Sequence, residues 1–201
     1  VFGNAWVSGD AQVSGNARVS GNARVSGNAR VFGNAWVSGD AQVSGNARVS
    51  GNAWVFGDAQ VFGNAWVSGD AQVFGNARVS GNAQVFGNAR VSGNARVFGD
   101  ARVFGDARVS GNARVFGNAW VRTVNIVATR SDGYTFLVAP TPEGPRLIAG
   151  CRYFTFDQAR KHWSETRADT QLGYESLSIV EHLERMAELN GFMEPVEAEV
   201  E

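Results

Sequence analysis

One six-residue phrase, Val-[Ser/Phe]-Gly-[Asn/Asp]-Ala-[Arg/Gln/Trp], runs twenty times from residue 1 to residue 120 without insertion or break. A chain that repeats this strictly must stack one small unit on copies of itself, because six residues cannot bury an apolar face alone. Across a unit boundary such as Ala17-Arg18-Val19-Ser20, alternation puts Ala and Val on one face and the variable residues on the other. The Gly-Asn or Gly-Asp that follows is the pair best able to adopt left-handed backbone conformations. Each unit therefore reads as a short strand and a bend, and stacking coils of such strands buries every Val and Ala.

This stretch resembles the hexapeptide-repeat family, whose units read aliphatic-x-x-x-small-x. Val1, Val7 and Val13 onward match the aliphatic position, and Ala5, Ala11 and Ala17 onward the small one. The resemblance implies a left-handed parallel β-helix, a triangular solenoid with three hexapeptides per coil. Twenty units then make roughly 6.7 coils and a rod on the order of 30 Å long at the usual strand spacing.

Positions 2 and 6 of the unit should face outward, leaving nine Phe and five Trp at or near the surface. Residues 18 apart should stack, which pairs Trp36 with Trp54, Phe56 with Phe74, Phe86 with Phe104 and Phe98 with Phe116. Trp6, Trp36 and Trp66 should instead fall on three different faces, which argues against one flat binding plane. A longer phrase recurs at residues 1–12, 31–42 and 61–72. That 30-residue period does not divide into coils, so the outward variation reads as drift between duplicates. The Arg columns, Arg78-Arg96-Arg114 and Arg90-Arg108, could hold phosphates or acidic polymers. The commoner role for such a run is a solvated face.

The net charge of −1 hides an asymmetry: the repeat carries ten Arg and six Asp, the remainder eight Lys or Arg and thirteen Asp or Glu. An excess of four positive charges spread along a rod is too weak to argue nucleic-acid binding. The single cysteine, Cys151, excludes an intrachain disulfide and a Cys-based zinc site. No apolar run is long enough to span a membrane. The start at Val1, in phase with the repeat and without Met, reads as a fragment of a longer protein; a cytoplasmic location is expected over a secreted one.

Catalysis needs unlike groups at chosen places, and the repeat contains no His, Glu, Cys or Lys. The transferases and zinc enzymes of the hexapeptide-repeat family depend on histidines and on loops between coils. Neither is present here, so the resemblance is to bacterial and prophage-type repeat proteins with a small C-terminal domain rather than to the transferases. No catalytic, cofactor-binding or metal-ligating residue is assigned, and no cofactor is expected.

Beyond Val121 the pattern breaks, and residues 121–192 read as a small α+β capping or interaction domain, with 193–201 an acidic tail. Val121 to Thr129 alternates as a strand, Ser131-Asp132-Gly133 is a hairpin turn, and Tyr134 to Ala139 and Arg146 to Ala149 are further strands. Thr155 and Gln158 have capping-box spacing, predicting a helix from about Phe156 to Thr166. A second helix is predicted from near Ser176 to Asn190-Gly191, with Leu177, Val180, Leu183, Met186, Ala187 and Leu189 on its apolar face. Tyr153, Phe154, Phe156 and Trp163 form a mini-core in this reading, and His182 sits at the surface. Cys151 and His162 could be read as a nucleophile and base, but no third orienting group is evident and a packed Cys is favoured.

The sequence thus points to a non-enzymatic β-solenoid scaffold whose C-terminal domain caps it and recognises a protein partner or mediates self-assembly. A homo-oligomer through the solenoid end or the C-terminal domain is one expectation. The alternatives are an acyl- or nucleotidyl-transferase with its active site outside the repeat, and a rod that binds polysaccharide or anions.

Overall fold

The computed structural model describes residues 1–121, 126–141, 143–150 and 152–193. Two compact units divide the chain, Val1–Val124 and Asn125–Glu201. In the first, twenty two-residue strands run from β1 (Trp6–Val7) to β20 (Trp120–Val121) at six-residue intervals. Each pairs in parallel with the strand three units on, so Trp6 lies opposite Arg24 and Val7 opposite Val25. Three parallel sheets of seven, seven and six strands result. The first unit is therefore a parallel β-solenoid with three hexapeptides in each coil.

The core is one residue type stacked on itself. Every repeat Val from Val19 to Val115, and every repeat Ala from Ala23 to Ala107, is fully buried. A buried Val stabilises by about 1.5 kcal/mol or more relative to an exposed one. Backbone bonds tie coil to coil: the Trp6 amide donates to the Ala23 carbonyl at 2.9 Å, and the Ser8 amide to the Val25 carbonyl at 3.0 Å. The same pair recurs in each coil, and a parallel edge is satisfied wherever another coil covers it.

The corners depart from the sequence expectation. Only the Gly of each Gly-Asn or Gly-Asp pair is left-handed; among the described residues the one non-glycine with positive φ is Asp169. Corners also stack tightly: a Cβ on Gly51, whose φ is +66°, would lie 2.9 Å from the Gly69 amide nitrogen. The Asn and Asp contribute through their side chains instead. Asn46 Nδ2 donates to Asn64 Oδ1, and Asn64 Nδ2 to Asn82 Oδ1, both at 3.0 Å. Asn82 Nδ2 then donates to Asp100 Oδ1 at 2.9 Å. A carboxylate only accepts, so Asp ends a run of donation that Asn would continue.

The second unit is an antiparallel sheet in the order β21 (Ile126–Thr129), β22 (Thr135–Ala139), β23 (Arg146–Ala149) and β24 (Arg152–Phe154), with two helices. Helix α1 spans Phe156–Thr166, and the reciprocal Thr155–Gln158 capping box is formed. Strand β24 was not predicted, because three residues ending at a helix cap carry no usable alternation. Residues 122–125, part of the strand expected from Val121, lie outside the described residues. Helix α2 spans Gln171–Leu189 with Thr170 as its N-cap, five residues earlier than predicted. Gly173 masks this start by resembling a helix breaker. A Cβ there would sit 1.9 Å from the Arg167 carbonyl oxygen, so Gly permits the close approach that begins the helix.

Phe136, Leu147, Phe156, Trp163, Val180 and Leu183 lead the core of this unit, with Phe154 packed against it. Tyr153, expected in the same core, is half-buried outside that cluster. On α2 the buried face includes Gly173 and Ser176, whereas Leu189 is 67% exposed. Leu189 misses the face because it stands two residues, about 200° of helix, beyond the buried Ala187.

The stacked corners make a direct test. Gly51→Ala should lower the stability of the first unit by about 2 kcal/mol, from the left-handed backbone and the contact with Gly69. Equilibrium denaturation followed by circular dichroism would measure it.

Candidate functional site

Every outward side chain of the solenoid belongs to a column with one member per coil. On the sheet that holds β6 (Trp36–Val37) and β9 (Trp54–Val55), aromatic rings run together. Trp36 meets Trp54 edge-on at 5.3 Å between centroids, Trp54 meets Phe56 at 6.4 Å, and Phe56 stacks on Phe74 at 4.9 Å. Phe86 with Phe104, and Phe98 with Phe116, also stack as expected, both at 5.2 Å. Trp6, Trp36 and Trp66 do lie on three different sheets. Trp rings also bond diagonally: Trp36 Nε1 donates to Ser20 Oγ and Trp66 Nε1 to Ser50 Oγ, at 3.0 and 3.1 Å.

Between the corner column and the neighbouring position-6 column runs a shallow polar trough. Asn4, Asn22 and Asp40 with Trp6, Arg24 and Gln42 line about 400 Å³ of it. On the next sheet, Asn28, Asn46 and Asn64 with Arg30 and Arg48 line about 450 Å³. These are open surfaces of amides and guanidiniums with an occasional carboxylate, Asp40 in the first and Asp10 in the second, and not a pocket with a converging acid and base.

The rod's positive charge is not evenly spread. Residues 1–77 carry four Arg and four Asp, whereas residues 78–120 carry six Arg and two Asp. Arg78, Arg96 and Arg114 are direct register partners on one sheet. Arg102 behaves differently, lying over the Trp120 ring at 5.2 Å.

The second unit holds a buried cation that the sequence reading missed. Arg130 is 5% exposed and is the buried charged residue among those described. Its guanidinium donates twice to the Asp132 carboxylate, at 3.0 and 2.7 Å, and once to Ser176 Oγ at 2.8 Å. Its plane lies over the Tyr134 ring at 4.8 Å, and the Tyr134 hydroxyl donates to the Ala149 carbonyl. The Ser131 amide adds a bond to Glu175. The hairpin turn is thereby tied to α2, with each guanidinium nitrogen of Arg130 donating once. The hydrogen bonds from Arg130 hold the Asp132 carboxyl at about 2. Those from Ser131 hold Glu175 below the usual carboxylate range. An Arg two residues before the Asp of a turn was the signal available in sequence.

Cys151 lies outside the described residues. His162 is half-buried between Phe154 and Trp163, with centroids 5.2 and 5.3 Å away. Burial, then Arg152, push its pKa down. His182 is exposed on α2. Among the described residues, no three His, Cys, Asp or Glu side chains are grouped to hold a metal. No described helix is long and apolar enough to cross a membrane.

With this geometry in place, sequence comparison identifies the rod. The "YdcK Beta solenoid repeat" family matches residues 11–25, 23–39, 41–57, 59–73, 71–85, 83–97, 89–108 and 107–122, more than half of the chain. The chain belongs to that family. No curated protein matches it. Among solved structures, a Bacillus cereus protein described as a "putative acetyltransferase" is 12% identical over 93% of this chain and 99% of its own, with a TM-score of 0.27.

The Asp132 pair has a pH signature. A carboxyl depressed in the folded state stabilises above its ordinary value near 3.8 and loses that contribution as pH falls toward about 2. Asp132→Asn should therefore flatten the pH dependence of helix melting, read at 222 nm, between about pH 4 and pH 2.

Proposed function

We propose that this member of the YdcK β-solenoid repeat family is a non-enzymatic scaffold. The repeat serves as a rigid spacer, and the non-repetitive C-terminal unit serves as its cap and as the module that recognises a protein partner or a second copy. The observation that carries this reading is the contrast between the two sides of the solenoid wall. Inward Val and Ala never vary over twenty units, while outward positions change from coil to coil. A rod selected for rigidity needs the first and tolerates the second.

Chemistry supports the same reading. General acid–base work at neutral pH wants a group that titrates near 7. The ionisable side chains of the repeat are Arg and Asp alone. His162 is engaged by two aromatic rings in the second unit.

Titration of the full chain with acetyl-CoA, the donor of an acetyltransferase, distinguishes the readings. The scaffold reading expects no heat of binding by calorimetry and no acetyl transfer to amine or hydroxyl acceptors. Saturable binding with turnover would replace it with the transferase reading.

A further inference from the structure

One face of the rod's C-terminal half carries the same three groups in successive coils. Asn94, Arg96 and Phe98 form one rung, and Asn112, Arg114 and Phe116 form the next; Asn76, Arg78 and Ser80 begin the series. The arginines are in register. The amides are linked along the rod, Asn76 to Asn94 and Asn94 to Asn112, each at 3.2 Å. Phe98 and Phe116 stack within 10° of parallel and form an apolar rail beside the cations. Arg78, Arg96 and Arg114 are all exposed. Their side chains enter none of the ion pairs seen among the described residues.

This column is electrostatically unfinished. Like charges directly opposite one another in a sheet repel, and this corner column offers Asn76, Asn94 and Asn112 where Asp would have compensated. The same column carries Asp only further back, at Asp40 and Asp58, where the neighbouring position-6 residues are Gln42 and Gln60 and not Arg; other columns place Asp at Asp70 and Asp100. A ligand that neutralises the three cations must repeat once per coil, about every 4.8 Å, along a straight line.

We infer that this face binds an acidic polysaccharide of the polyuronate class, with one sugar residue per rung. A 1,4-linked pyranose advances by about the spacing of the coils. Its carboxylate meets a guanidinium, which matches carboxylate geometry with a two-pronged donor. Its hydroxyls meet the Asn amides, and its C–H surface lies along the Phe rail. Duplex nucleic acid fits less well: it winds its phosphates around an axis, so a straight column meets them only where the strands cross it. Single-stranded nucleic acid wants open ring faces for its bases, and Phe98 and Phe116 turn theirs toward each other.

The experiment uses the full chain and a galacturonate hexamer, titrated by calorimetry in low salt. The variant Arg78→Gln/Arg96→Gln/Arg114→Gln introduces a residue the same column already holds at Gln42 and Gln60, so the coil tolerates it. A second variant, Arg18→Gln/Arg30→Gln/Arg48→Gln, removes equal charge elsewhere on the rod. The hexamer should bind, and the first variant should weaken it by at least about tenfold, while the second changes it less than about threefold. Absence of binding, equal loss in both variants, or tighter binding of a thymidine oligonucleotide of matched charge would overturn the proposal.

Discussion

Stacking in strict register is the constraint on which the solenoid depends. Each Val lies on the Val one coil away, each Gly on the corresponding Gly, and the backbone bonds follow. The inner wall repeats every six residues, because all three sides of a coil present the same pair of side chains. The outer wall repeats only every 18, because a column is defined by the side of the triangle it occupies. Selection on the core acts on the short period, and any recognition must act on the long one.

That difference explains how a 30-residue duplication could pass through the rod. Five units preserve the core and carry local outward contacts along with them. The Ser20–Trp36 hydrogen bond reappears 30 residues later as Ser50–Trp66, although the two pairs lie on different sheets. Outward order in this rod is therefore of two kinds. Short contacts were copied by duplication, whereas columns such as Arg78-Arg96-Arg114 arise where copies fall 18 residues apart.

Much of the fold was legible because its causes are local. The Val/Ala period set the strands, the 18-residue stacking predicted the aromatic pairs, and Thr155 with Gln158 marked α1 to the residue. The misses share a different cause. Gly173 disfavours a helix by propensity, and its place in the first turn of α2 follows from the Arg167 carbonyl beside it. Strand β24 is too short to alternate, and Leu189 is apolar but points away from the face that Val180, Leu183 and Ala187 carry. Buried Arg130 meets Ser176, 46 residues away in sequence. On the rod, the Arg78-Arg96-Arg114 column was visible in sequence, but the linked amides beside it became visible only in three dimensions.

The central claim is that the core recognises only the six-residue phrase. It is tested most directly by comparing two deletions by chemical denaturation: residues 49–54, one whole unit, and residues 49–53, one residue less. The account predicts that the whole-unit deletion keeps one cooperative transition close to that of the parent. The shorter deletion leaves one residue that cannot pair, and should be less stable by about 2 kcal/mol or more. Equal destabilisation by both would contradict it, since the rod would then depend on which outward residues meet, not on the phrase that repeats within.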